Sequence, residues 1–362
     1  MNADGDSRRL SRRSFLAGTT ATATVAGLAG CVDSLTSGSN SLTVSVWSGT
    51  YADTFEKAVK PAYEDETGNT LEVVGNWSGL LSKIRSAPED DPPYDITIGG
   101  PRVHYRGAQD DLWQPVRYDN LSNDGAVKPC LMNYEQSADA VPVNYGLEAY
   151  VYDESRVEAA PETWAGVVED DVENVALSGF NFSHPLMMAA IVADDEPLIG
   201  EVYDQSYHDE LFAFLDEIDT TEFYSGSQEM WTSMREGVAD IGQYYFAYSV
   251  EKDRTTEDMD IGVSIPDTTV GYVDYYQVVR GADRGVAEEF LDFLLGADVQ
   301  TEFAQEFNVG MANEEVSYPE LSREQLPITN DELNQVAFMR PERIAEFESD
   351  LEEQYLQLQD DA

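Results

Sequence analysis

The part of the sequence best suited to binding chemistry is VGYVDYYQVVRGADRG, residues 270–285. Three tyrosines surround one carboxylate, Asp274, and a β-branched apolar run follows. Rings and an acid at this spacing are able to hold a ligand. Tyrosine is also a common strand residue, so the same letters describe the solvent-facing edge of a β-strand. The segment therefore predicts a strand and leaves ligand binding as a hypothesis.

Sequence motifs for bond-breaking chemistry are missing. The three histidines, His104, His184 and His208, are never four residues apart, and the sequence contains no HExxH, GxSxG or Walker A motif. With 70 acidic residues, pairs of carboxylates arise by chance. A secreted hydrolase that uses two carboxylates around a sugar remains the alternative from another functional class. We expect a binding protein with no catalytic residue, no cofactor and no metal.

The composition limits the partners and the architecture. The 362 residues carry 21 Lys+Arg and 70 Asp+Glu, a net charge of −49, which excludes nucleic acid as a partner because phosphate contacts require a basic surface. An apolar content of 42% is that of a globular protein. Acids spread over the whole length are typical of extreme halophiles, in which salt screens the self-repulsion. A chain of this length predicts two lobes.

The N-terminus has the pattern of an export signal. Arg12 and Arg13 precede a weakly apolar run that is too short to span a bilayer and fits the hydrophobic region of an export signal. Paired arginines indicate the Tat route. The run ends in LAGC at Cys31, which resembles the lipobox of exported lipoproteins. We expect a signal peptide over 1–30, lipidation at Cys31 and a Ser/Gly-rich tether over 31–41.

The remaining cysteine and three sequons belong to the exported part of the chain. Cys130 has no second cysteine to pair with there, and we interpret it as a small buried apolar residue. Asn76, Asn120 and Asn181 each begin a possible glycosylation sequon.

Alternating strand and helix patterns predict the fold class. The order begins with a strand at 42–47, a helix at 53–66 and strands at 71–77 and 94–100. A second series follows, with strands predicted at 149–153, 172–178, 238–245, 260–265 and 274–279 and helices at 206–219, 286–295 and beyond 341. Strand–helix–strand order is the signature of a parallel sheet, so an α/β protein is expected.

Four segments in order resemble the extracellular solute-binding proteins that deliver ligands to ABC importers, in particular the spermidine/putrescine-binding branch. They are SLTVSVWSGTYADTFEKAVKPAYEDETGN; PPYDITIGGP with LWQPVRYDNLSN; AVPVNYGLEAYVYDESRVEAAPETWAGV; and the segment from 270 continuing into AEEFLDFLLGADVQTEFAQEFNVGMANEE. Together they cover nearly all of residues 42–315.

The resemblance implies a type II periplasmic-binding-protein-like fold, in which hinge crossovers join two α/β lobes around a ligand cleft. Lobe 1 would comprise 42–142 and 273–315, and lobe 2 would comprise 143–272. Crossovers are expected near 141–145 and 271–274, and a helical segment over 316–362 would pack on lobe 2. The implied partners are a small cationic ligand and an ABC permease, and the receptor would be a monomer lipid-anchored at the outer face of the cytoplasmic membrane.

The resemblance also implies the ligand residues. Tyr272 and Asp274 match the family's ring–spacer–carboxylate at the second crossover, which suits an alkylammonium ion. The other candidates are Trp47 and Tyr51 after the first strand, Tyr145 and Glu148 at the first crossover, and Tyr245. The adjacent Tyr244 and Tyr245 are similar to the consecutive tyrosinates of ferric-binding relatives. A polyamine is the first candidate, and a thiamine-like cation and a ferric ion are alternatives.

Overall fold

The computed structural model describes residues 41–132, 139–169, 172–193 and 199–361. The predicted export signal with Arg12 and Arg13, the lipidation site Cys31 and nearly all of the tether lie outside the described residues.

Twelve strands are present in the described ranges, and the two strands at the predicted crossovers, β5 and β10, are longer than predicted. They are β1 (Ser41–Trp47), β2 (Thr70–Asn76), β3 (Ile96–Gly99), β4 (Trp113–Gln114), β5 (Ala140–Asp153), β6 (Val175–Ser178), β7 (Thr220–Tyr224), β8 (Ile241–Tyr245), β9 (Ile261–Ser264), β10 (Val270–Val279), β11 (Gly310–Met311) and β12 (Ala337–Phe338).

Helices follow most strands. They are α1 (Thr50–Thr54), α2 (Lys60–Thr67), α3 (Leu80–Ser86), α4 (Pro101–Gln109), α5 (Ser183–Ala193), α6 (His208–Asp216), α7 (Ser227–Glu236), α8 (Phe246–Thr255), α9 (Arg284–Leu294), α10 (Ala297–Glu306), α11 (Glu320–Gln325), α12 (Asn330–Leu333), α13 (Pro341–Ile344) and α14 (Glu348–Asp361). A π-helical stretch, Phe55–Val59, joins α1 to α2. Gly68, at φ 71°, ends this first helical run because glycine adopts the left-handed conformation without steric cost.

The sheet has parallel strands at both ends and antiparallel strands in the middle. Its order is β2-β1-β3-β10-β5-β8-β6-β7. At one end β1 pairs in parallel with β2 and β3, and at the other β6 pairs in parallel with β7 and β8. The predicted α/β fold class is confirmed, and the central antiparallel pair of β10 and β5 connects the two parallel regions.

The long strand β5 belongs to both regions. Its first part pairs with β10 and β11, and from Glu148 onward it pairs with β8 and β9. The strand is longer than the predicted 149–153 and includes Pro142, Asn144 and Gly146, which are all poor strand formers. The tertiary pairing on both edges overrides these local preferences.

Two main hydrophobic cores lie on either side of this junction. The first contains Phe55, Phe290 and Phe303 and packs the helices that follow β1 and β10. The second contains Trp164 and Leu211 and packs α5 and α6 on the other parallel region. A smaller cluster covers the opposite face of β8. The candidate cleft described below is built on β5 and β10, the strands that contribute residues to both cores.

The C-terminal segment is shared between the two cores, which differs from the expected packing of 316–362 on the second lobe alone. Tyr318 and Leu333 lie in the first core, whereas Ile344 and Leu351 lie in the second. The chain passes from one to the other at β12, which pairs in parallel with the start of β10.

Candidate ligand-binding cleft

The cleft floor is built on β5 and β10. Side chains alternate along a strand, so Asn144, Gly146 and Glu148 of β5 lie on one face. The register places Asp274 opposite Asn144 and Tyr272 opposite Gly146. Opposed residues of an antiparallel pair share a face, so all five residues face the same side of the sheet.

Asp274 is a buried carboxylate held by neutral donors. It is 3% exposed, and its oxygens accept hydrogen bonds from the Trp47 indole Nε1 (2.8 Å) and the Asn144 side-chain amide (2.7 Å). Burial raises the pKa of Asp274 to about 6, and the two hydrogen bonds oppose this rise. Among the described residues no basic side chain forms an ion pair with Asp274. Its negative charge is desolvated without a counter-charge.

A chain of buried hydroxyl groups fixes the amide of Asn144. Tyr51 donates to Asn144 Oδ1 at 2.7 Å, and the Tyr51 and Tyr276 hydroxyls are 2.8 Å apart. Because the Tyr51 proton is committed to Asn144, Tyr276 donates to Tyr51. This arrangement turns the Asn144 NH₂ group toward Asp274. Tyr51, whose ring the resemblance predicts to contact the ligand, is 1% exposed, and its hydroxyl instead bonds the amide that holds Asp274.

Glu148 occupies a different electrostatic environment. It is 1% exposed, and its Oε1 lies 2.7 Å from Nδ1 of His184 at the start of α5. Four residues separate it from Asn144, which corresponds to about 13 Å along the strand. The second acid of the cleft floor therefore has a histidine beside it that is able to carry the opposite charge.

Five aromatic rings form a continuous chain along the cleft. Centroid distances are 5.6 Å for Trp47–Trp77, 6.5 Å for Trp77–Tyr248, 5.8 Å for Tyr248–Tyr245 and 5.2 Å for Tyr245–Tyr272. Burial, followed by the charge of Asp274, raises the pKa of the Tyr272 phenol well above its usual value. The phenols are neutral at physiological pH and present π faces and hydroxyl groups.

Tyr145 lies outside this arrangement, contrary to its predicted role in ligand binding. It is fully buried, and its hydroxyl donates to the Pro327 carbonyl at 2.6 Å. Adjacent residues of a strand point to opposite faces, so placing Asn144 toward Asp274 turns Tyr145 into the first core.

Tyr244 packs mainly on the opposite face of β8, and its ring also lies 5.1 Å from the ring of Tyr245. Its ring packs 5.2 Å from Trp231 and 5.6 Å from Tyr224 in the cluster on the opposite face of β8. Burial raises the pKa of both phenols above the usual value, which opposes their ionisation. In the part of the chain that the structure describes, no group of three or more His, Cys, Asp or Glu side chains is placed to hold a metal.

The structure thus brings together Trp47, Tyr245, Tyr272, Asp274 and Glu148. Sequence reasoning missed Asn144, His184, Tyr248 and Trp77. Asn144 had one usable signal, since asparagine is uncommon inside a strand. The other three reach the cleft through contacts between distant segments, and no local pattern marks them.

One cluster beside the cleft links the two parallel regions. Arg102, at the start of α4, donates to Glu348 (2.6 Å) and to the Asn181 side chain (3.3 Å), and its guanidinium lies 4.5 Å from the Phe182 ring centroid. Arg106 pairs with the other oxygen of Glu348 at 3.0 Å. Lobe opening that separates α4 from the segment after β6 has to break these contacts.

The fold and the cleft define a two-lobed binding protein, and comparison with known proteins identifies the family. The chain belongs to the bacterial extracellular solute-binding proteins, whose family matches residues 51–326. None of the curated proteins compared with the chain matches it significantly.

Three solved structures have the same fold, and each alignment covers 88% of this chain and 99% of the other chain. An ABC transporter substrate-binding protein from Bradyrhizobium japonicum has a TM-score of 0.75 at 15% identity. MotA from A. tumefaciens B6, in complex with glucopine, scores 0.73 at 14% identity. The spermidine/putrescine-binding protein PotD from Streptococcus pneumoniae scores 0.71 at 17% identity. Their named ligands are chemically diverse, so these similarities establish the fold and leave the ligand open.

The family is extracellular. Within the described ranges, the helices are all too short or too polar to cross a membrane.

Proposed function

We propose that this protein captures a small organic cation in the cleft and delivers it to an ABC permease. A polyamine such as spermidine or putrescine is the first candidate. The observation that carries the proposal is the state of Asp274, a carboxylate 3% exposed and bonded to neutral donors. A buried negative charge without a counter-charge is stabilised by a cation that enters beside it.

The aromatic chain suits the same ligand. Rings bind ammonium groups through their π faces and pack against methylenes, and these contacts strengthen where water is excluded. A thiamine-like cation satisfies the same features and is the second candidate. The ferric alternative is disfavoured, because burial raises the pKa of the Tyr244 and Tyr245 phenols and so opposes the tyrosinates that an iron site uses.

The remaining parts of the proposal concern the whole receptor. We propose Tat export through Arg12 and Arg13 and lipid anchoring at Cys31. We also propose lobe limits of 42–142 with 273–315 and of 143–272. The long strands β5 and β10 support crossovers near these limits. The competing function, a hydrolase that uses two carboxylates, predicts turnover of a glycoside, whereas a receptor predicts binding alone.

A thermal-shift panel at molar salt tests the ligand class. The unmodified protein is heated with spermidine, putrescine, thiamine or ferric citrate, and 1,4-butanediol is the uncharged control matched to putrescine in length. Ligand at a hundredfold excess over its Kd stabilises the folded state by about 2.7 kcal/mol. We expect a shift with an organic cation and none with the diol. A panel in which no organic cation shifts the melting curve removes the cationic-ligand proposal, although the family assignment stands.

A further inference from the structure

The ring of Tyr272 occupies the space that a side chain at position 146 would fill. A Cβ atom built on Gly146 would lie 2.1 Å from the Tyr272 hydroxyl oxygen and 2.3 Å from its Cζ. Real Cβ atoms do not approach ring atoms this closely, because van der Waals contact begins above 3 Å. Tyr272 is the direct cross-strand partner of Gly146. The phenol end of the ring therefore lies over Gly146, too close to leave room for a side chain.

The contact between Gly146 and Tyr272 lies in the middle of the cleft floor. Gly146 lies between Asn144, which holds Asp274, and Glu148, which lies against His184. The Tyr272 ring thus crosses β5 between the two acids. It lies 5.2 Å from the Tyr245 ring and stacks 6.5 Å from the His184 ring. Its height above the strand sets the space that remains between the two ends of the cleft.

We propose that Gly146 is a positioning residue that sets the depth of the cleft by seating Tyr272 on the backbone. The inference rests on the proposed function, because it concerns ligands of the same cleft. A methyl group at position 146 lifts the ring into the cleft. A compact cation that contacts Asp274 alone retains its site, whereas an extended cation that passes over Tyr272 loses space.

The chain offers a matched control. Gly262 of β9 pairs with Tyr152 in the same geometry, and a Cβ there would lie 2.2 Å from Tyr152 Cζ. Tyr152 lies six residues from Gly146 along β5, which corresponds to about 20 Å. Gly262→Ala therefore creates the same kind of steric conflict at a distance from the two acids.

Calorimetric titration at molar salt tests the proposal with spermidine as the extended probe and tetramethylammonium as the compact one. We expect Gly146→Ala to weaken spermidine about tenfold, the effect of overpacking a filled site, and tetramethylammonium by no more than about threefold. Gly262→Ala leaves both affinities within about twofold. In the Tyr272→Ala background, Gly146→Ala has no further effect, since the ring that it displaces is gone.

The outcomes separate the inference from the proposed function. Wild-type protein that binds neither probe contradicts both. Wild-type binding with unchanged affinities in Gly146→Ala, or equal losses with and without Tyr272, overturns the role of Gly146 alone. If Gly146→Ala does not fold, the double variant with Tyr272→Ala decides. A double variant that folds and binds as Tyr272→Ala does supports the proposal, and a double variant that fails to fold overturns it.

Discussion

The two acids of the cleft floor are buried to the same extent but differ in their partners. Asp274 is held by an indole and an amide, which are both neutral. Glu148 lies against His184, a side chain that is able to be positive. Burial of a lone carboxylate costs free energy that a charged neighbour offsets. Asp274 thus has no basic partner among the described residues, whereas Glu148 has His184 beside it in the fold.

The pKa of Asp274 gives the size of this cost. A rise from 3.8 to about 6 corresponds to about 3 kcal/mol of stability that the empty protein loses when the group ionises. The folded state binds the proton more tightly than the unfolded state. The contribution of Asp274 is therefore most favourable below about pH 4 and is lost as the pH rises through about 6. A cation beside the carboxylate recovers part of it.

The largest effect is expected from Asp274→Asn. The variant should bind a cationic ligand more than about tenfold more weakly, because the charge that attracts the ligand is gone. The free protein should be more stable near neutral pH by up to about 3 kcal/mol, since the desolvated charge is removed. Rotation of the Asn144 amide, together with reversal of the Tyr51–Tyr276 hydrogen bond so that Tyr51 accepts from Asn144, restores the hydrogen bond to the new side chain. Calorimetric titration measures the affinity, and denaturant unfolding between pH 4 and 8 measures the stability.

The pH series separates these effects from general acid sensitivity. The stability difference between Asp274→Asn and wild type should be small below pH 4 and grow through pH 6, because only the wild type ionises there. Unchanged affinity for the cation would place Asp274 outside the site. A difference in stability that does not vary with pH would contradict the shifted pKa.

Glu148→Gln tests the opposite side of the comparison. Glutamine keeps an oxygen for His184 and removes only the charge, so we expect affinity to fall by no more than about threefold. The melting temperature should fall by a few degrees, because the buried contact of Glu148 Oε1 with His184 Nδ1 loses its carboxylate. Thermal shift and titration on one preparation measure both. A loss equal to that of Asp274→Asn would show that both acids serve the ligand as uncompensated charges.

The smallest effect is expected from Trp47→Phe. Phenylalanine keeps a ring but removes the N–H that bonds Asp274, so the pKa of Asp274 rises further and less carboxylate is ionised near neutral pH. Affinity at pH 7 should fall about twofold, and the loss should diminish at pH 8. Trp77→Phe is the control, since it alters the neighbouring ring and leaves both donors to Asp274 in place. Equal losses in the two variants at both pH values would mean that ring size alone matters.

The sequence was sufficient for the fold class because the hydrophobic periods of strands and helices are local. The placement of Tyr272 and Asp274 on one face of a strand was also predictable, since one residue separates them. Their role in ligand binding came from the family resemblance and stays a prediction. The alternation of side chains that puts both on one face depends only on residues next to each other in the sequence.

The face of Tyr145 was not predictable in this way. A shift of one residue reverses every side chain of a strand, and the pairing of β5 with β10 contains an irregularity between Asp274 and Tyr275. Tyr51 illustrates a second limit. Whether its ring or its hydroxyl serves the site depends on Tyr276, which is 225 residues away. Such contacts follow from tertiary packing and leave no local pattern.

The indole of Trp47 gives the protein an optical consequence. The chain has five tryptophans, and Trp164 is buried in the second core while Trp47 and Trp77 lie at the cleft. The Trp47 N–H is bonded to the one carboxylate that a cation is expected to approach. Indole emission responds to the charge and polarity around the ring. Trp47 is therefore an intrinsic fluorophore in direct contact with Asp274, the proposed ligand-binding carboxylate. Its emission can report whether the cleft holds a ligand, without an added label.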